Sequence, residues 1–119
     1  MKRIYLVAIA TLAASVLLSA SAFAATPKLI GTVGPGFTIS LTQGGKKVKT
    51  LKAGKYTFVI SDKSPMHSYG LDGPNGWSKD FTSVPFVGTK SFTVTLKKGS
   101  YKFYCTPHES FMFGKFKVT

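Results

Sequence analysis

The chain of 119 residues carries 16 Lys and Arg against 4 Asp and Glu, with two His and one Cys; this describes one small basic domain and leaves no room for a second. Its only acidic side chains are Asp62, Asp72, Asp80 and Glu109, and its only imidazoles are His67 and His108. A paired-carboxylate hydrolase, a Ser/His/Asp triad or a multi-histidine metal cluster would each need nearly all such residues in one place, and a lone Cys excludes an internal disulfide.

The first 24 residues read as a secretory signal and not as part of the fold. Met1-Lys2-Arg3 is a basic start, residues 4–18 are uncharged, and Ala22-Phe23-Ala24 supplies small residues at the spacing a signal peptidase reads. The uncharged run is shorter than the ~20 residues of a spanning helix, so cleavage before Ala25 is expected and a membrane anchor is not. No Cys follows the run to take a lipid, and no twin-arginine pair precedes it. The expected mature domain, residues 25–119, is thus exported to a periplasm or the cell surface. Removing 24 of 119 residues leaves 95, and losing Lys2 and Arg3 lowers the net charge from +12 to +10, carried by 14 lysines and no arginine.

From residue 28 onward Gly and Pro punctuate short alternating runs rich in Thr, Val, Phe and Tyr, and no stretch has helical periodicity. A first strand is expected over residues 28–33. Residues 37–42 alternate and stop at Gln43-Gly44-Gly45, after which residues 47–51 are expected to return as a hairpin partner. After the turn Lys52-Ala53-Gly54, residues 55–61 place Tyr56, Phe58 and Ile60 on one face. Residues 62–90 are long for a structureless connection, so they are expected to hold another strand, a short helical turn or a functional loop. Beyond them Phe92, Val94 and Leu96 share a face, Lys97-Lys98-Gly99-Ser100 turns, Tyr101, Phe103 and Cys105 share a face, and residues 113–119 form the last strand. Seven to eight short strands at this spacing predict an all-β Greek-key sandwich.

The residues that carry chemistry are Cys105, His108 and Met112, spaced Cys-x-x-His-x-x-x-Met, with His67 far upstream at the end of another strand. A thiolate, two imidazoles and a thioether form a soft donor set that suits copper, because a His2Cys set with a weak axial Met accommodates both Cu(I) and Cu(II) with little rearrangement. Zinc is the competing metal, but it favours tetrahedral sites with more thiolate or nitrogen donors and rarely uses Met. Singly, each residue has a plainer reading: Cys105 as a small buried hydrophobe, His67 as a loop histidine, Met112 as core filler. Jointly, the only Cys and both His leave no member over, and an unpaired thiol in an exported chain is otherwise an oxidation hazard.

The segment Gly99-Ser100-Tyr101-Lys102-Phe103-Tyr104-Cys105-Thr106-Pro107-His108, followed by Met112-Phe113-Gly114-Lys115-Phe116-Lys117-Val118, resembles the C-terminal metal loop of the cupredoxins, the small blue copper proteins. Upstream, Ala53-Gly54-Lys55-Tyr56-Thr57-Phe58 resembles the turn and strand before the family's first ligand, and Ser64-Pro65-Met66-His67 resembles that ligand's site; the ordering covers residues 37–119. The resemblance implies one type 1 copper with His67, Cys105 and His108 as equatorial ligands, Met112 as the weak axial one, and electron transfer as the activity. Two departures stand out. Three residues, Glu109-Ser110-Phe111, separate His108 from Met112, where plastocyanin and pseudoazurin have four and amicyanin two. Ser68 stands where the family commonly has an Asn that ties the two ligand loops together, so a weaker tie is expected.

If the strands ending at His67 and Cys105 run toward the metal, the turns at 52–54 and 97–100 lie at the opposite pole. Residues 43–47 are expected at the metal pole, so Lys46, Lys47 and Lys63 are expected near the site and Lys52, Lys97 and Lys98 far from it. Pro107, Phe111 and Pro35 are expected to form an apolar patch around His108. The charge favours acidic redox partners and salt-sensitive association, or contact with an anionic surface; export and the absence of arginine speak against nucleic acid. A mobile monomeric single-electron carrier is the leading expectation, copper capture or delivery the alternative. An oxidase-type copper enzyme is excluded because no histidine remains for a second copper site.

Overall fold

The computed structural model describes residues 14–15 and 25–119; the expected signal segment lies almost wholly outside the described residues. Among the described residues ten strands form two five-stranded sheets that pack face to face. In the first sheet, β1 (Lys28–Val33) has β2 (Ile39–Gln43) on one side and β5 (Gly54–Asp62) on the other; β3 (Lys46–Lys47) pairs outside β2, and β8 (Gly88–Leu96) outside β5. In the second, β9 (Gly99–Tyr104) lies between β10 (Phe113–Val118) and β6 (Tyr69–Asp72), with β4 (Thr50–Leu51) beyond β10 and β7 (Ser78–Thr82) beyond β6. This is the expected sandwich with more strands than the seven to eight predicted. Among the described residues no helix is long and apolar enough to cross a membrane.

Alternation explains the long strands. In β5, Tyr56, Phe58 and Ile60 are buried, as are Val94 and Leu96 in β8 and Tyr101 and Phe103 in β9, so one face of each strand enters the core between the sheets. The two layers meet through Phe58 stacked on Phe81 at a centroid distance of 5.1 Å, while within the second sheet Tyr69 stacks on Phe103 at 5.9 Å. Gly31 makes room for this packing: a Cβ there would lie 2.5 Å from Ile60 Cδ1 and 2.8 Å from Tyr69 Cζ. The buried Tyr69 hydroxyl donates to the Ser40 carbonyl at 2.8 Å, and burial pushes its pKa well above the ordinary value of 10.0.

Residues 47–51 do not form one hairpin partner of β2. Lys46–Lys47 pairs with β2, whereas Thr50–Leu51 crosses to the second sheet and pairs parallel with β10. The buried side chains of this segment are Val48 and Leu51, three apart, a spacing that breaks period-two alternation and bends the chain from one layer to the other. The stretch 62–90 contains β6, a 3-10 turn at Pro74–Gly76, β7 and the start of β8, which meets the expectation of hidden structure there.

Direction matters most for function. Strand β5 runs from Gly54, paired with Leu96, to Asp62, paired with Gly88, and β9 runs from Gly99 to Tyr104. Both strands deliver the chain to the same pole, and the turns at 52–54 and 97–99 close the other pole, as predicted. Strand β1 is parallel to β5, so its end at Val33, opposite Asp62, also reaches the first pole. Strand β2 therefore starts there, with Ile39 opposite Val33, and runs away from it. This reverses the expectation for residues 43–47: the hairpin carrying Lys46 and Lys47 points away from the metal pole. In its place the β1–β2 connection, residues 34–38, borders the site.

Candidate metal centre

Three connections meet beyond the ends of the strands. After β5, the Ser64 backbone N–H donates to Asp62 Oδ1 at 3.2 Å, the Met66 N–H to Ser64 Oγ at 3.1 Å, and the His67 N–H to the Ser64 carbonyl at 3.3 Å. These local bonds coil residues 64–67 into a tight turn that aims His67 inward. After β9, the Cys105 N–H donates to the Met112 carbonyl at 3.0 Å, the His108 N–H to the Cys105 carbonyl at 3.1 Å, and the Met112 N–H to the His108 carbonyl at 2.8 Å. The loop from Cys105 to Met112 is thus closed on itself by backbone bonds, with Thr106–His108 as a 3-10 turn.

These two loops bring His67, Cys105 and His108 together. The distance from Cys105 Sγ to each Nδ1, of His67 and of His108, is 3.7 Å, and the two Nδ1 atoms are 3.2 Å apart. His67 and Cys105 are buried and His108 is half-buried. A triangle with these sides has its centre about 2 Å from each corner, close to the roughly 2.0–2.3 Å that imidazole nitrogen and thiolate sulfur adopt toward a first-row metal ion. The donor set and its spacing therefore fit a single soft-ligated ion. Met112 is buried at the end of the same loop, its backbone bonded to both Cys105 and His108.

Ser68 does more than its length suggests. Its N–H points at Cys105 Sγ at 3.4 Å, and its Oγ accepts from the Thr106 N–H at 2.9 Å. The serine hydroxyl therefore spans the two ligand loops, contrary to the expectation of a weaker tie, because the loops approach closely enough for a short side chain. Removing the hydroxyl strands the Thr106 N–H, so Ser68→Ala is expected to cost about 1–2 kcal/mol of stability, read by urea unfolding of the metal-free protein, and to weaken metal retention measured by competition with a chelator.

The residue that sequence reasoning missed is Phe37. It stands edge-on to both imidazoles, 5.6 Å from the His67 ring and 5.2 Å from the His108 ring, and 5.9 Å from Phe111. It is nonetheless 61% exposed, and Phe111 and Met66 are comparably open. The signal was present in Gly34-Pro35-Gly36, which ends the strand before Phe37 and leaves it in a loop. Gly34 has φ of +74°, and a Cβ there would sit 3.2 Å from His67 Cδ2, so the loop lies directly against the ligand ring. The predicted residues Pro35, Pro107 and Phe111 are exposed at this pole, with Phe37 beside Phe111.

Just before Cys105, the Tyr104 hydroxyl donates to Asp72 Oδ1 at 3.1 Å. Desolvation, then the hydrogen bond and charge of Asp72, push its pKa up to about 12. Lys63 is exposed beside the site, its N–H bonded to the Val33 carbonyl.

The profile of the copper-binding proteins of the plastocyanin/azurin family matches residues 43–119, and the chain belongs to that family. Copper is the metal that the grouping of His67, Cys105 and His108 takes, with one ion per chain. Among solved structures, reduced rusticyanin is 22% identical with a TM-score of 0.53, over 77% of this chain and 78% of its own. An oxidised methionine-to-leucine variant of amicyanin is 16% identical with a TM-score of 0.52, over 76% of this chain and 81% of its own. A histidine-to-methionine variant of rusticyanin is 26% identical with a TM-score of 0.51, over 77% and 76%. No curated protein sequence matches the chain.

Proposed function

We propose that the mature protein, residues 25–119, is an exported single-electron carrier, not an enzyme, in which His67, Cys105 and His108 hold one copper ion and Met112 supplies a weak axial donor. The observation that carries this reading is the convergence of the three donor atoms within 3.7 Å of one another on loops fixed by backbone hydrogen bonds. Copper supplies the Cu(I)/Cu(II) couple.

The chain's own residues make that couple useful. The closed Cys105–Met112 loop and the Ser68 bridge hold the donors in one arrangement while the charge at the site changes, which keeps reorganisation small. His108 is the half-buried member of the set, and Phe37 and Phe111 surround it with exposed apolar surface. That surface suits brief contact with partner proteins, and the imidazole edge offers the shortest exit for an electron. Both histidines are engaged, so none is left to build a second metal centre.

The test is the electron self-exchange rate of the copper-loaded protein together with the rate at which Cu(I) is lost to a chelator. Fast exchange with slow loss supports a carrier; rapid loss of Cu(I) with slow exchange supports copper capture or delivery. In Phe37→Ala, water gains access to both imidazoles and the more highly charged oxidised state is favoured. The reduction potential is therefore expected to fall by tens of millivolts in direct voltammetry.

A further inference from the structure

Lysines occur at both poles, but the half remote from the metal centre holds lysines without acids. Lys52, Lys55, Lys97 and Lys98 sit on or beside the two turns that close the pole remote from the metal centre. Lys28 lies on the same half, opposite Thr57, as do Lys117, opposite Ser100, and Lys49, whose carbonyl accepts from the Lys117 N–H. All seven are exposed. No acidic side chain shares this half: Asp62 ends β5 at the metal pole, Asp80 faces Gly70, Glu109 is in the metal loop, and Asp72 lies mid-sheet opposite Lys102. Among the described residues the one ion pair, Lys102 with Glu109, is outside this cluster.

We propose that this lysine pole is a docking surface for an anionic lipid bilayer, holding the protein with its metal centre facing away from the membrane. The chain enters the sandwich at this same pole, with the Pro27 carbonyl accepting from the Thr57 N–H at 2.8 Å. Lysine suits this role: it is a flexible point charge that can follow diffuse headgroup phosphates, whereas arginine's rigid fork favours fixed bidentate sites. Juxtamembrane lysines are attracted to anionic headgroups within a Debye length, about 8 Å at physiological salt. Of the large exposed hydrophobics, Phe37, Met66 and Phe111 belong to the other pole, whereas Trp77 lies beside Lys97 and Tyr101 at the lysine pole; attachment is therefore electrostatic with one interfacial aromatic, and it leaves the apolar rim of the metal centre free.

Among the described residues every strand and the buried core lie within residues 28–118, so the test uses residues 25–119. Co-sedimentation is measured with phosphatidylcholine vesicles with and without phosphatidylglycerol, at low and physiological salt. Binding is expected only to the anionic vesicles and to weaken as salt rises. The combined substitutions Lys52→Glu, Lys55→Glu, Lys97→Glu and Lys98→Glu are expected to weaken it by at least about tenfold. A control of equal charge change, Lys63→Glu, Lys79→Glu, Lys90→Glu and Lys115→Glu, is expected to retain most of it. Acetylation footprinting of the unsubstituted protein on vesicles provides an orientation readout that needs no variant to fold: Lys52, Lys97 and Lys98 are expected to be protected and Lys63 and Lys90 to stay reactive. Equal binding to neutral vesicles, equal protection at both poles, or equally tight binding to a soluble polyglutamate would overturn the proposal.

Discussion

The Cys105→Ser protein is expected to fold and to lose the intense visible thiolate-to-copper absorption that the parent protein develops on addition of Cu(II). Cys105 is the single sulfur among the three clustered donors and is fully buried, with the Ser68 N–H aimed at it. A serine hydroxyl nearly fills the space but offers a hard, protonated oxygen in place of a polarizable thiolate. Loss of an outer-shell partner alone typically costs roughly 10–100-fold in metal affinity, so loss of the thiolate itself is expected to exceed that range. The measurement is an absorption titration with Cu(II) beside a chelator competition. An unchanged spectrum would move the ligand set away from Cys105.

The largest effect on stability is expected at Phe58. This side chain is fully buried in the middle of β5, stacked on Phe81 from the opposing sheet, so truncation removes an inter-sheet contact and leaves a cavity that the paired strands cannot close. Phe58→Ala is expected to cost about 3–5 kcal/mol, a large share of the roughly 5–15 kcal/mol that a small domain has. For a domain of this size that corresponds to a fall in Tm of at least about 12 °C, measured by circular dichroism on the metal-free protein. Saturating copper is expected to restore part of the loss, because ligand bound only to the folded state adds stability.

Strands β5 and β9 were legible because their burial alternates, whereas the exposed first half of β8 carries no such pattern. In residues 55–61 and 101–103 each inward side chain is large and apolar, so strand and face could be read together. Residues 46–51 were not legible, because they serve both sheets in succession and a two-residue strand has too little pattern to reveal which. The placement of Lys46 and Lys47 failed for a related reason: it depends on β1 lying parallel to β5, a long-range pairing with no local signature. At the site, four residues of distinctive chemistry drew attention at once, whereas Phe37 and Ser68 are common residue types whose roles arise only when separate loops meet. Three loops of different origin had to be assembled before the Phe37 ring could be seen against both imidazoles.

The central claim, one redox-active copper held by His67, Cys105 and His108 in a site that survives the change of charge, is tested most directly by spectroelectrochemistry of the copper-loaded protein. A thiolate-to-copper band is expected that bleaches on uptake of one electron per copper and returns in full on reoxidation, with the metal retained through repeated cycles. A folded protein that develops no such band, or one that sheds its copper on reduction, would contradict it.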